Sequence, residues 1–160
     1  MAPDINTAKS EVYVVDMSIE EAYLAAFRGS FTSTMRWHDL DAFWDVLKAQ
    51  ADDQWYIYAV GHTPPESVVD KQKLMNFIDK IHELLHKEHD EDYCGIVYVD
   101  NKETPEFIKI FDPHNLGVTC GFSDNPPLPG WILSRIQPVE LEAVLNPAKN
   151  RQRWWQQLFN

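Results

Sequence analysis

The chain has 160 residues, 44% of them hydrophobic and 24% charged, which is the mix of a globular protein with enough apolar material for one packed domain. Twenty-five acidic residues stand against 14 Lys and Arg, a formal net charge of −11. That sign works against phosphate-neutralising nucleic-acid binding and against an anionic membrane surface, and it favours basic partners, which a negative surface steers inward.

No run of about 18 apolar residues is present, so no membrane-spanning helix is expected. The N-terminal MAPDINTAKSE lacks the apolar stretch of a secretion signal, and a cytoplasmic chain is the expectation. Cys94 and Cys120 are too few for a disulfide framework and read as two buried thiols in a reducing compartment, although their spacing alone leaves a pairing open.

In chain order, residues 1–10 read as a flexible tail. Val12–Val15 is a β-branched and aromatic run, hence a strand. Ser18 followed by Glu21 is a capping-box pattern that opens a helix to about Phe27, ended by Gly29. Ser30–His38 has no clear period and reads as a loop. Asp39 is a good N-cap for a helix in which Leu40, Phe43, Trp44 and Leu47 form one apolar stripe, and Asp41 and Asp45 stand four apart on an adjoining face. Trp55–Val60 is a second strand. Leu74, Phe77, Ile78, Ile81, Leu84 and Leu85 mark a long amphipathic helix over roughly 67–89. The acidic run Asp90–Asp92 has the wrong sign for a helix C-terminus and closes it.

Gly95–Val99 is apolar enough for a central strand, and Asp100-Asn101 turns the chain into Phe107–Phe111, its antiparallel hairpin partner. Leu116–Phe122 reads as a strand, followed by a stiff loop with Pro126, Pro127, Pro129 and Gly130. Trp131–Ile136 is a further strand. Pro138 starts a helix over Val139–Leu145, and Asn150–Phe159 adds a short one. With helices alternating early and strands clustering late, the expectation is a single mixed α/β (α+β) domain over 11–160.

Three groups of residues carry chemistry. His82-Glu83-Leu84-Leu85-His86 fits the pattern in which two histidines one helical turn apart grip zinc while the glutamate activates water, with Asp92 available as a third ligand. The plain alternative is a histidine-rich border beside the Leu/Ile stripe. Asp112, His114 and Cys120 bring an acid, a base and a thiol close in sequence, but they read better as an Asp-Pro turn followed by a strand with a buried cysteine. The stretch Asn125–Trp131 could fill a groove on another protein as a polyproline segment, and reads better as a stiff connection held down by Leu128 and Trp131. Trp154 and Trp155 need burial against the body or a second subunit. No Gly-rich phosphate loop, dinucleotide fingerprint or nucleophile elbow is present, and no cofactor is expected.

The third group is Asp39-Leu40-Asp41-Ala42-Phe43-Trp44-Asp45-Val46-Leu47. As unpaired carboxylates at i and i+4, Asp41 and Asp45 repel each other by a few tenths of a kcal/mol, which suits a surface awaiting a cation and equally suits a solvated face. This nonapeptide resembles the second helix of the barstar-like proteins, intracellular inhibitors of small secreted ribonucleases, in which an Asn-Leu-Asp-Ala-Leu-Trp-Asp type of motif places two aspartates in the enzyme's basic active site. The order of elements over about 11–100 is similar too. The stretch before the motif, Met35-Arg36-Trp37-His38, departs from the aromatic-glycine sequence usual in that family, and residues 101–160 have no counterpart in its small members.

The resemblance implies a small sheet flanked by helices over 11–100, followed by a β-rich extension and C-terminal helix over 101–160. It also implies a non-enzymatic inhibitor or immunity protein whose partner is a basic protein such as a small ribonuclease or toxin. Asp41 and Asp45 would be the primary contacts, with Trp37, His38 and Asp39 extending the patch. The alternatives are a small zinc-dependent hydrolase using His82, His86 and Glu83, and a homodimer built through the C-terminal hairpins and tail.

Overall fold

The computed structural model describes residues 18–34, 36–88, 96–112 and 128–145. Among the described residues four helices, α1 (Ile19–Phe27), α2 (Trp37–Ala49), α3 (Lys71–Glu88) and α4 (Leu141–Leu145), accompany five strands, β1 (Thr32–Ser33), β2 (Tyr56–Ala59), β3 (Val97–Val99), β4 (Phe107–Ile110) and β5 (Trp131–Ser134). The strands form one sheet in the order β1-β3-β4-β5-β2, with every pairing antiparallel. The mixed α/β class expected from the sequence is the one observed.

Strand alternation divides the core in two, because successive residues point to opposite faces of the sheet. Ile108 and Ile110 of β4, with Val97 and Val99 of β3 and Leu133 of β5, join Leu40, Phe43, Trp44 and Leu47 of α2 and Leu74, Ile78, Ile81 and Leu85 of α3 in the larger cluster. Phe107 of β4, Ile132 of β5 and Tyr58 of β2 face the other way and meet Tyr23 of α1 and Leu141 of α4. The α2 stripe is buried, and so are Leu74, Ile78, Ile81 and Leu85 of the α3 stripe, against the same face of the sheet; Phe77 is partly buried and Leu84, read as part of that stripe, is exposed because it turns away from the cluster.

Local chemistry sets the boundaries. The Ser18 hydroxyl accepts the Glu21 N–H at 3.1 Å, the capping interaction expected for α1. The hairpin expected from Gly95–Val99 and Phe107–Phe111 forms with Val97 opposite Ile110 and Val99 opposite Ile108. Its turn is organised by Asp100, whose Oδ1 accepts the N–H groups of Asn101, Glu106 and Phe107 at 2.8, 3.1 and 3.2 Å. At the far side of the sheet Arg135 donates to both carboxylate oxygens of Asp52 at 3.1 and 2.9 Å and lies over the Trp55 ring, tying the end of β5 to the start of β2.

Several boundaries differ from the sequence reading, each for a tertiary reason. Ser30–His38 is not all loop: Thr32 and Ser33 pair with Val99 and Tyr98, and the Thr34 N–H bonds the Val97 carbonyl at 3.0 Å. A two-residue strand carries no period from which to read it. Asp39 is not the N-cap of α2; Arg36 holds that position without a side-chain bond, and the helix begins three residues earlier because Trp37 packs against the larger cluster. Asp39 instead lies in the first turn, where the helix dipole favours a carboxylate. The long helix begins at Lys71 and not near 67, because the Val69 N–H is drawn to the Trp55 carbonyl at 2.8 Å, and Asp70 then accepts the Lys73 N–H at 2.7 Å.

The late strands are no appendage. β4 and β5 lie inside the sheet between β3 and β2, so this part of 101–160 completes the core. Leu128 packs on the smaller cluster and Trp131 on the larger, as expected of these two residues, while Asn125, Pro126 and Pro127 lie outside the described residues. The expected strands Val12–Val15 and Leu116–Phe122, the tail helix Asn150–Phe159, and Cys94, Cys120, His114, Asp92, Trp154 and Trp155 lie outside the described residues. Among the described residues no helix is long and apolar enough to cross a membrane.

Candidate functional site

Packing α2 and α3 side by side on one face of the sheet turns two polar borders toward each other. On α2 the residues beside the buried stripe are Asp41, Asp45 and Lys48; on α3 they are Asp79, His82 and His86. Each set follows helical spacing of three or four residues, so each lines up along its helix. Between them lies an open hollow of about 210 Å³, lined by Asp41, Trp44, Asp45, Lys48, Ile78, Asp79 and His82.

The charges around this hollow are unequal. Lys48 pairs with Asp79 across the two helices. Asp45 is exposed and makes no ion pair among the described residues. Three carboxylates against one ammonium leave the rim two charges negative, with His82 neutral. Burial pulls the His82 imidazole below the usual histidine range; His86 beside it acts the same way, and Asp41 opposes both. At the floor, the indole N–H of buried Trp44 and the Nδ1 of His82 have no hydrogen-bond partner among the described atoms.

Asp41 is not the unpaired carboxylate that its spacing suggests. Its Oδ1 lies 3.3 Å from His82 Nε2 and 4.0 Å from His86 Nε2. The three ligand-type atoms all fall within 4.8 Å of one another. The His86 ring is stacked on Trp37, centroids 4.0 Å apart and planes 23° from parallel, and meets the His82 ring edge to face at 4.3 Å. Trp37 thus extends the site by holding a histidine.

The structure brings together residues from two motifs that are 37 residues apart or more in sequence, and it leaves others out. Of the zinc-type pattern His82 and His86 converge, while Glu83 is exposed and outside the group of three; among the described residues the third member is Asp41. Of the aspartate motif, Asp41 and Asp45 line the hollow. Asp39 lies two residues before Asp41, about 200° round the helix, and is paired with His38 at 3.2 Å away from the hollow. Lys48 and Asp79 belong to the site without having been singled out by any motif, and Trp44, read as a stripe residue, also lines it. The signal available for them was the parallel spacing 41/45/48 and 79/82/86 on two helices with adjoining apolar stripes. No family model, curated protein or solved structure matches the chain.

Proposed function

We propose that the protein is a binding module, not an enzyme, and that it receives a basic side chain of a protein partner in the hollow between α2 and α3. The observation that carries this reading is the excess of carboxylates around the hollow: Asp41, Asp45 and Asp79 face a single ammonium that is already engaged, and Asp45 has no cation of its own. The volume of about 210 Å³ suits the end of one Arg or Lys, whereas drug-sized substrates occupy roughly 300 Å³ or more. Both walls are helices held from behind by buried stripes, so the carboxylates are positioned before a partner arrives, which limits the ordering cost of binding. The net charge of −11 speeds encounter with a basic protein and repels nucleic acid.

The resemblance of residues 39–47 to the barstar-like helix supplies the class of partner: a small ribonuclease or toxin with a cationic active site, neutralised in the cytoplasm by an immunity protein. Asp41 and Asp45 are the contacts of this reading, with Trp37 at the edge.

The test is affinity capture at low salt with wild type and the Asp41→Ala/Asp45→Ala double variant as baits. A basic protein held by wild type should bind the double variant at least about 30-fold more weakly, the equivalent of about 2 kcal/mol for losing a central charged contact. Equal capture by both baits removes the reading.

A further inference from the structure

We infer that Asp41, His82 and His86 form a binding site for a divalent transition-metal ion of the zinc type, which clips α2 to α3. The inference does not rest on a protein partner.

The argument is geometric. His82 and His86 are one turn apart on α3, so their Nε2 atoms project from one face, and α2 supplies a carboxylate oxygen 3.3 and 4.0 Å from them. Bonds of about 2.0–2.2 Å in a tetrahedral site place ligand atoms roughly 3.4 Å apart. The Asp41–His82 edge already has that length, and the remaining edges, within 4.8 Å, need about 1 Å of closure. Side-chain rotation can supply it, because Asp41 and His86 are both exposed. The stack on Trp37 limits the orientations His86 samples, so less freedom is lost on binding.

The donor set chooses the metal. Two imidazoles and one carboxylate are the nitrogen-oxygen mixture taken by zinc and its neighbours, while calcium and magnesium require oxygen throughout. One carboxylate only half-neutralises the ion, and Asp45 on the adjoining turn of α2 adds negative potential on the same side. With three protein ligands, a fourth position would be left to water. The buried His82 Nδ1 lacks the acceptor that usually orients a metal-bound imidazole, which sets the site below fully supported structural zinc sites in affinity.

Calorimetric titration of the full chain, stripped by a chelator, with zinc chloride tests this. One equivalent should bind and raise the thermal midpoint, and cobalt(II) in its place should develop visible absorption of a tetrahedral nitrogen-oxygen complex. His86→Ala and Asp41→Asn, both at exposed positions that leave the fold intact by circular dichroism, should each weaken zinc at least about tenfold and abolish the midpoint shift. His62→Ala, an exposed histidine away from the group, should change neither. No stoichiometric zinc binding by wild type, or binding of full strength in both His86→Ala and Asp41→Asn, overturns the inference.

Discussion

Replacing Asp45 by alanine should make the protein more stable, and the size of the gain follows from its position. Asp45 sits on the exposed face of α2 with no ion pair among the described residues, so its removal orphans no partner. Alanine is the better helix former by up to about 0.7 kcal/mol. Removing the like-charge neighbour of Asp41 at i, i+4 adds about 0.2–0.5 kcal/mol. Asp45 lies four residues before the last helical residue, Ala49, where the helix dipole disfavours a carboxylate by a few tenths more. Against these stands a weak attraction to Lys48 at i+3, already committed to Asp79. The sum is about 1 kcal/mol of stabilisation, or roughly 2–4 °C in midpoint for a chain of this size. Thermal and urea unfolding of wild type and Asp45→Ala at low salt reads it, and the charge-dependent part should shrink in high salt. A loss of more than about 0.5 kcal/mol would refute the reasoning, because it would show that Asp45 has a structural partner and is not held free for a cation.

Two further outcomes test the framework behind the site. Asp100→Ala removes the acceptor of three backbone N–H groups in the β3–β4 turn and should cost about 1–3 kcal/mol, seen as a lower urea midpoint at unchanged slope; an unchanged midpoint would mean that water replaces the carboxylate without penalty. Lys109 of β4 is half-buried over the faces of Phe27 and Phe31, and burial pulls its ammonium down to about 8 although the ring faces favour the cation. Between pH 8 and the unfolded value of 10.5 the unfolded chain binds more protons at this site than the folded one, so wild type should gain stability relative to Lys109→Met as pH rises through that window. Burial also raises the Tyr23 and Tyr58 hydroxyls, which lowers stability above about pH 10, but both variants share that effect and it cancels in the difference. A difference that stays flat from pH 8 to 10.5 contradicts the placement of Lys109.

What the sequence disclosed was periodic, and what it concealed was the encounter of distant segments. The stripes Leu40/Phe43/Trp44/Leu47 and Leu74/Ile78/Ile81/Leu85 were readable because burial of one helix face imposes a spacing on its own residues. The β3–β4 hairpin was readable because its two strands are close in sequence and joined by a turn with strong side-chain acceptors. Thr32–Ser33 was not, since its strand is defined only by a partner more than 60 residues away. The site divided in the same manner. Two motifs were visible, each with its own function attached, and Asp41 was assigned to one while His82 and His86 were assigned to the other. Only the packing of α2 beside α3 shows that Asp41 meets both histidines, that it shares one hollow with His82, and that Asp79 and Lys48 complete the rim of that hollow. That neighbour relation is fixed by the order of strands beneath the helices, which puts the late strands β4 and β5 in the middle of the sheet.

The central claim is that the hollow between α2 and α3 receives a cation from a partner protein, and charge reversal at its rim tests it most directly. Wild type and Asp45→Lys would be used as baits at low salt with a chelator present, so that Asp41 is free of metal. Asp45→Lys leaves Asp41, the buried stripes and the hairpin untouched while turning one rim carboxylate into an ammonium. The account expects a basic protein on wild type that is released by salt and absent from Asp45→Lys. The same proteins on both baits, or none on wild type, would contradict it.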